Sequence, residues 1–267
     1  MTNKIFSALW AEYVNRTPSA ERVKSLFEEH GEQVLNDHIA IRTFNDPRVD
    51  IGVISKPFLK LGYVLAGSYD FKEKHLNAHH FEIPGDKQAP RVFISELKLE
   101  KFDSSLQGMV DHMLAQISPQ DLSSEELILK GRLWGTPSYA QYESMLEQSE
   151  YAAWLYINGF CANHFTVSAN ALKSMNSLVE VNSFLKENGF KLNESGGEIK
   201  GSKSDLLEQS SILADRIEMD FEEGNFEVTS CYYEFAYRYH KEEGELFSGF
   251  VTGSADKIFE STNMKVS

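Results

Sequence analysis

One interval recurs along this chain and narrows the folds open to it. His164 follows His38 by 126 residues, and "FLKENGF" at Phe184 follows "FLKLGY" at Phe58 by the same 126. Gly62 and Gly189 close the two helices that carry these motifs, with one residue inserted in the second copy. Around each histidine the patterning reads strand, helix, then three strands. In the first copy the strand at about 37–44 is followed by a helix at about 47–61, then by "YVLAGSYDF", "NAHHFEIP" and "PRVFISEL". In the second, "NHFTVSA" is followed by the helical "MNSLVEVNSFLKENG", then "FKLNESGGEIKG", "SILADRIEMDF" and "FEVTSCYYEFAYRY". A repeat of this size is one supersecondary unit used twice. The expected fold is therefore α+β, with two βαβββ modules joined into a half-barrel that encloses a cleft.

The modules leave two helical segments. Residues 1–36 carry N-terminal helices, the second of which has Thr17 to cap it, Pro18 in its first turn and Gly31 at its end. Residues 101–160 form a helical insertion, in which "LQGMVDHMLAQI" and "SYAQYESMLEQSEYAAWLYING" hold apolar residues at helical spacing. The chain is expected to be one compact unit, with the first module over 37–100 and the second, followed by a C-terminal helix, over 161–267.

Bulk properties exclude several function classes. With 40 acidic against 26 basic residues the formal charge is −14, and no basic run offers phosphate contacts, so a nucleic-acid partner is not expected. No apolar run approaches the ~20 residues of a membrane span, and no cleavable leader is visible. The two cysteines, Cys161 and Cys231, form no CxxC pair, which suggests a reducing, cytoplasmic setting. Gly-rich nucleotide loops, GxSxG and HExxH are absent.

The chemistry concentrates where the modules would meet. Alternation puts His38, Ala40, Arg42 and Phe44 on one face of "NDHIAIRTF". His38 and His164 hold equivalent places, and Glu234 lies in a last strand. Two imidazoles and a carboxylate make the facial set that binds non-haem Fe(II) and leaves positions open; zinc, nickel or manganese would accept the same donors. Arg238, four residues along the same face, is an alternative partner for Glu234. Glu96 in "SEL" pairs with Glu234 in "YEF" as an end-strand carboxylate, so a fourth ligand, as in a glyoxalase-like isomerase, stays open. A metal-free small-molecule binder is the third reading. Of His79 and His80 only one can face the cleft, and a surface or supporting place is expected. Cys161 and Cys231 stand three before His164 and Glu234, hence on the opposite face, as packing thiols.

Taken together, "DHIAIRTF", "PRVFISEL", "NHFT" and "CYYEFAYRY" resemble the DUF1338 family of 2-oxoadipate dioxygenase/decarboxylases, within the vicinal oxygen chelate superfamily. "SGFVTGSADKIFEST" is also similar to the closing helical segment of 4-hydroxyphenylpyruvate dioxygenase. The resemblance implies a non-haem Fe(II) enzyme in which O2 drives decarboxylation of a 2-oxo dicarboxylic acid, 2-oxoadipate, to 2-hydroxyglutarate and CO2, as in lysine catabolism. It implies His38, His164 and Glu234 as iron ligands and Arg42 as the holder of the far carboxylate. The segment "EQSSILAD", with Gln209, Ser210 and Ser211, offers further hydrogen bonds to the oxo acid, with Ser210 as the candidate substrate contact.

Overall fold

The computed structural model describes residues 2–242 and 244–251. Two helices open the chain, α1 (Thr2–Arg16) and α2 (Pro18–Glu29). Pro18 sits in the first turn of α2, but the Thr17 hydroxyl makes no capping hydrogen bond. Gly31, at φ +84°, takes the left-handed turn that ends the helix.

The first module follows as β1 (Asn36–Phe44), the short helices α3 (Ile51–Ile54) and α4 (Lys56–Lys60), then β2 (Val64–Phe71), β3 (Leu76–Glu82) and β4 (Arg91–Leu97). Next come the helices α5 (Ser104–Ala115), α6 (Pro119–Leu122), α7 (Tyr139–Gln148) and α8 (Glu150–Asn158). The second module runs β5 (Ala162–Ser168), α9 (Leu178–Glu187), β6 (Lys200–Ser202) and β7 (Leu207–Ser211). A separate hairpin, β8 (Arg216–Phe221) and β9 (Gly224–Thr229), precedes the last strand, β10 (Glu234–Arg238).

Eight strands form one half-barrel sheet in the order β2-β3-β4-β1-β5-β10-β7-β6. β1 and β5 run antiparallel at its centre, and each is flanked by a parallel partner, β4 and β10. The two halves are thus the expected βαβββ modules of a vicinal oxygen chelate fold, related across the β1–β5 seam.

The second module differs from its expected segmentation in three places, the first being "FKLNESGGEIKG", of which only the final Lys200 and Gly201 belong to a strand, β6. The strand expected over "SILADRIEMDF" is split: its first residue ends β7, and its second half leaves the sheet as β8. "FEVTSCYYEFAYRY" is likewise two elements, β9 and β10. The hairpin leaves because its rings have another partner: Tyr139 of α7 stacks on Phe226 at 3.8 Å and meets Phe221 edge-on at 5.2 Å. The Glu223 carboxylate at the hairpin turn accepts from the Tyr139 and Ala140 amides, which start α7.

The outer face of the sheet is apolar and covered by helices. Trp10 and Tyr13 of α1 each lie 5.1 Å from the Phe165 ring, and Phe27 of α2 lies 6.0 Å from Phe235. Because Phe165 and Phe235 point outward, their neighbours His164 and Glu234 point inward. No described helix is long and apolar enough to cross a membrane. The expected C-terminal helix lies outside the described residues.

Candidate metal centre

His38 and His164 reach the same place because the two modules repeat one register. His38 lies opposite Thr166, and His164 lies opposite Ala40. Pairing slips between Asn36 and His38, and again between Ala162 and His164, so that Asp37 and Asn163 each stand as the extra residue of a bulge. Each bulge turns the extra side chain towards the histidine after it. Asp37 Oδ1 lies 2.8 Å from His38 Nδ1, and the Asn163 amide lies 3.1 Å from His164 Nδ1. Each partner fixes the orientation of its ring, and the Asp37 carboxylate, an acceptor, also holds the His38 proton on Nδ1 and leaves Nε2 for a ligand. Simple alternation would have sent both residues outward, so sequence reasoning missed them. The signal was the pair "DH" and "NH" at the repeat interval.

Glu234 completes the set. It lies opposite Thr166 on parallel β10, and its two oxygens sit 3.5 Å from His38 Nε2 and 3.4 Å from His164 Nε2. The two Nε2 atoms are 3.4 Å apart. Two donors on one cation at about 2.1 Å each, with angles near 90–110°, stand roughly 3.0–3.4 Å apart, so this spacing suits a single ion. One donor atom from each of His38, His164 and Glu234 falls within 4.8 Å of the others, the group among the described residues that meets this test.

The register also answers the question of Glu96. Ala40 pairs with Phe93 in the first module as Thr166 pairs with Glu234 in the second, so the counterpart of Glu234 is Phe93. Glu96 is three residues further on, on the outer face, where it accepts from the Ile51 amide at 3.1 Å and from Asn77 at 3.3 Å. The matching "SEL" and "YEF" are therefore not structural equivalents, and a carboxylate from the first module does not enter the site.

Electrostatics favour a cation here. Burial raises the Glu234 carboxyl to about 8, against a hydrogen bond from Gln209 at 2.6 Å that lowers it. Burial lowers His38, although the Asp37 carboxylate opposes it, and lowers His164, where His38 and Arg42 add repulsion. Two neutral imidazoles and a carboxylate that lacks a full counter-charge are the donors a divalent ion needs. Glu234 Oε2 is buried without a hydrogen bond.

Arg238 does not pair with Glu234. Its Nε and Nη2 donate to Asp37 at 2.7 and 2.8 Å, and its Nη1 donates to the Gly249 carbonyl at 2.7 Å. Arg91 reaches Asp37 at 3.3 Å. Burial alone would raise the Asp37 carboxyl, but Arg238 and the hydrogen bonds from His38 and Arg238 hold it well below the carboxylate range. The same arginine thus links the partner of His38 to the chain leading to Phe250, whose ring packs edge-on to His38 at 4.9 Å.

Arg42, 1% exposed, sits inside a box made by the first turn of α8. Nη1 donates to Glu150 Oε1 at 3.1 Å, and the guanidinium lies 4.9 Å from the Tyr151 ring and 5.0 Å from Trp154. Nε and Nη2 have no partner among the described residues. The salt bridge and rings fix the group, and one edge with two donors remains open. Sequence reasoning missed Glu150, Tyr151 and Trp154, because α8 is buried from Tyr151 to its end and shows no polar face to single out one side.

Ser210 is turned away: its hydroxyl donates to Asn182 of α9 at 2.8 Å, on the outer face. Its neighbours Gln209 and Ser211 lie on the inner face, Ser211 opposite Glu234 and Gln209 with Oε1 buried and unpartnered. The first part of the segment is a buried strand, because it pairs with β10. His80 is the histidine of its pair that faces inward, bonded to Tyr69 Oη at 2.8 Å and to Glu82 at 3.1 Å. Cys161 and Cys231 are free and buried, as expected of packing thiols.

Comparison with known proteins agrees with this geometry. A family model described as 2-oxoadipate dioxygenase/decarboxylase matches residues 4–244. The chloroplastic 2-oxoadipate dioxygenase/decarboxylase of Arabidopsis thaliana is 36% identical over 276 residues, spanning 94% of this chain and 74% of its own. The hydroxyglutarate synthase of Oryza sativa, solved in complex with 2-oxoadipate, gives a TM-score of 0.90 at 32% identity over 97% of this chain and 91% of that one. A Shewanella frigidimarina protein described provisionally as a hydrolase gives a TM-score of 0.90 at 45% identity, over 94% of this chain and 98% of its own.

Proposed function

The chain belongs to the 2-oxoadipate dioxygenase/decarboxylase family, and on that premise we propose that it converts 2-oxoadipate and O2 into 2-hydroxyglutarate and CO2, using Fe(II) held by His38, His164 and Glu234. One observation carries the reading: three buried donors converge, with the open edge of a buried arginine on the same face of the same strand as His38. The balance closes without another reactant, since one oxygen atom goes to the carboxylate formed and one to the new hydroxyl.

Iron held by His38, His164 and Glu234 would supply the O2 chemistry. The chain's own residues position and protect. Asp37 keeps the proton of His38 on Nδ1, the Asn163 amide lies against His164 Nδ1 and orients that ring, and Gln209 holds Glu234 in place. Phe93 stands where a fourth ligand would be, which leaves room for substrate and O2. Arg42 receives the far carboxylate along its Nε–Nη2 edge, in the bidentate fork that lysine lacks. His38 and Arg42 are four residues apart on one strand, about 13 Å at roughly 3.3 Å per residue, a span that a six-carbon diacid lying between the two side chains can bridge. Phe93, Phe250 and Tyr69 exclude water from the reacting end. No side chain is required as a general base.

The four-ligand isomerase reading loses Glu96, and a metal-free binder leaves Glu234 buried without a counter-ion. A reducing, cytoplasmic compartment, supported by two free buried thiols, and a part in lysine breakdown complete the proposal. The test is anaerobic reconstitution with Fe(II), Mn(II) or Zn(II), then oxygen uptake with 2-oxo acids that vary in length and far-end charge. Iron-dependent uptake that is greatest with 2-oxoadipate, with one CO2 per O2, is expected. No uptake with any 2-oxo acid would contradict it.

A further inference from the structure

We propose that Tyr232 is a substrate-binding residue whose phenol donates a hydrogen bond to the far carboxylate beside Arg42. This rests on the reading that the site takes a 2-oxo dicarboxylate. Tyr232 is 0% exposed, and its Oη has no partner among the described residues. A buried phenol normally finds one, so an unmatched hydroxyl facing a site is a place where a ligand belongs.

The side chain is firmly placed. Its ring stacks on His164 at 5.0 Å with 27° between the planes. Its carbonyl accepts from Tyr13 Oη at 2.5 Å, and Trp154 Nε1 donates to the nearby Ser230 carbonyl at 3.0 Å. Glu234, Arg42 and Glu150 all act electrostatically on the phenol, and Trp154, which donates to Ser230 in the same segment, also packs against the Arg42 guanidinium at 5.0 Å. The phenol therefore lies against a metal-site histidine and within electrostatic reach of the arginine box.

Counting donors decides which end of the ligand it serves. Arg42 is already offset by Glu150, so a further buried carboxylate needs neutral donors as well as the arginine charge. The free edge of Arg42 offers two N–H groups to a carboxylate with about four acceptor sites. The Tyr232 hydroxyl supplies a third donor. Gln209 Oε1 and Glu234 Oε2, also unmatched, only accept.

Tyr232→Phe removes the hydroxyl and keeps the stacking ring. Calorimetric binding under anaerobic conditions would compare Fe(II)-loaded parent and variant with 2-oxoadipate and with 2-oxohexanoate, which has a methyl group in place of the far carboxylate. Metal stoichiometry is read alongside. The expected result is parent-like iron content, a tenfold to hundredfold loss of 2-oxoadipate affinity, about that of one hydrogen bond to a charged group, and unchanged binding of 2-oxohexanoate. Equal losses for both acids would put the phenol at the metal end, no loss for either would make it packing alone, and lost iron would make it a support of His164; each overturns the assignment. If the parent itself binds neither acid, the functional reading fails with it.

Discussion

Replacing Asp37 by Asn should cost this protein a large part of its stability, although no bound ion is involved. The carboxylate is 5% exposed and receives Arg238 twice, at 2.7 and 2.8 Å, with His38 Nδ1 at 2.8 Å and Arg91 at 3.3 Å. Asn keeps the shape and one acceptor but removes the charge, leaving Arg238, itself 1% exposed, with neutral acceptors alone: one amide oxygen and the carbonyls of Phe247 and Gly249. Removing one partner of a buried ion pair costs roughly 3–5 kcal/mol, and the retained amide oxygen puts this case near 3. That is a large share of the ~5–15 kcal/mol by which a domain is stable. Urea unfolding of the metal-free parent and variant at pH 7 measures it. Because the folded Asp37 is held below its unfolded value, its contribution is fully present above about pH 4 and shrinks as pH falls towards the folded value. The gap between parent and variant should therefore narrow in acid. Metal affinity should also fall about 10–100-fold, as for other partners of a ligating histidine. A difference below ~1 kcal/mol at pH 7, with unchanged metal affinity, would refute the role assigned to this network.

Three further substitutions have defined outcomes. His164→Ala should abolish iron binding and oxygen uptake while the far-UV circular dichroism stays that of the parent, and unchanged iron stoichiometry would remove His164 from the site. Arg42→Ala should keep the metal and raise KM for 2-oxoadipate by an amount equal to about 1.5–3 kcal/mol, the value of a charge-assisted hydrogen bond; an equal effect on 2-oxohexanoate would show that the arginine does not read the far carboxylate. Phe93→Glu places a carboxylate at the counterpart of Glu234, so metal should be retained or tightened and oxygen uptake lost. Full activity in that variant would contradict the register argument.

How much of this was legible in the sequence depended on whether the signal was local. The repeat interval located His38 and His164, and a repeated module needs only that its own first strand be recognised. Arg42 was legible from the same strand by alternation. The pairing of Glu96 with Glu234 failed because matching letters near a strand end do not fix register; hydrogen bonds across the sheet do, and they put Phe93 opposite Ala40. Asp37 and Asn163 were hidden by bulges, which break the period of two on which strand reading rests. The box around Arg42 was hidden for another reason. Glu150 lies 108 residues from Arg42, at the start of a helix whose other residues are all buried, so no periodicity marks the side that meets the site. The hairpin of β8 and β9 was absorbed into sheet strands because its alternation is that of a strand; only the α7 rings that it packs against take it out of the sheet.

The most direct measurement is anomalous diffraction at the iron edge from crystals reconstituted anaerobically with Fe(II). A single strong peak within about 2.3 Å of His38 Nε2, His164 Nε2 and a Glu234 oxygen is the predicted result. A peak elsewhere, or none among those three side chains at full occupancy of added metal, would contradict the central claim.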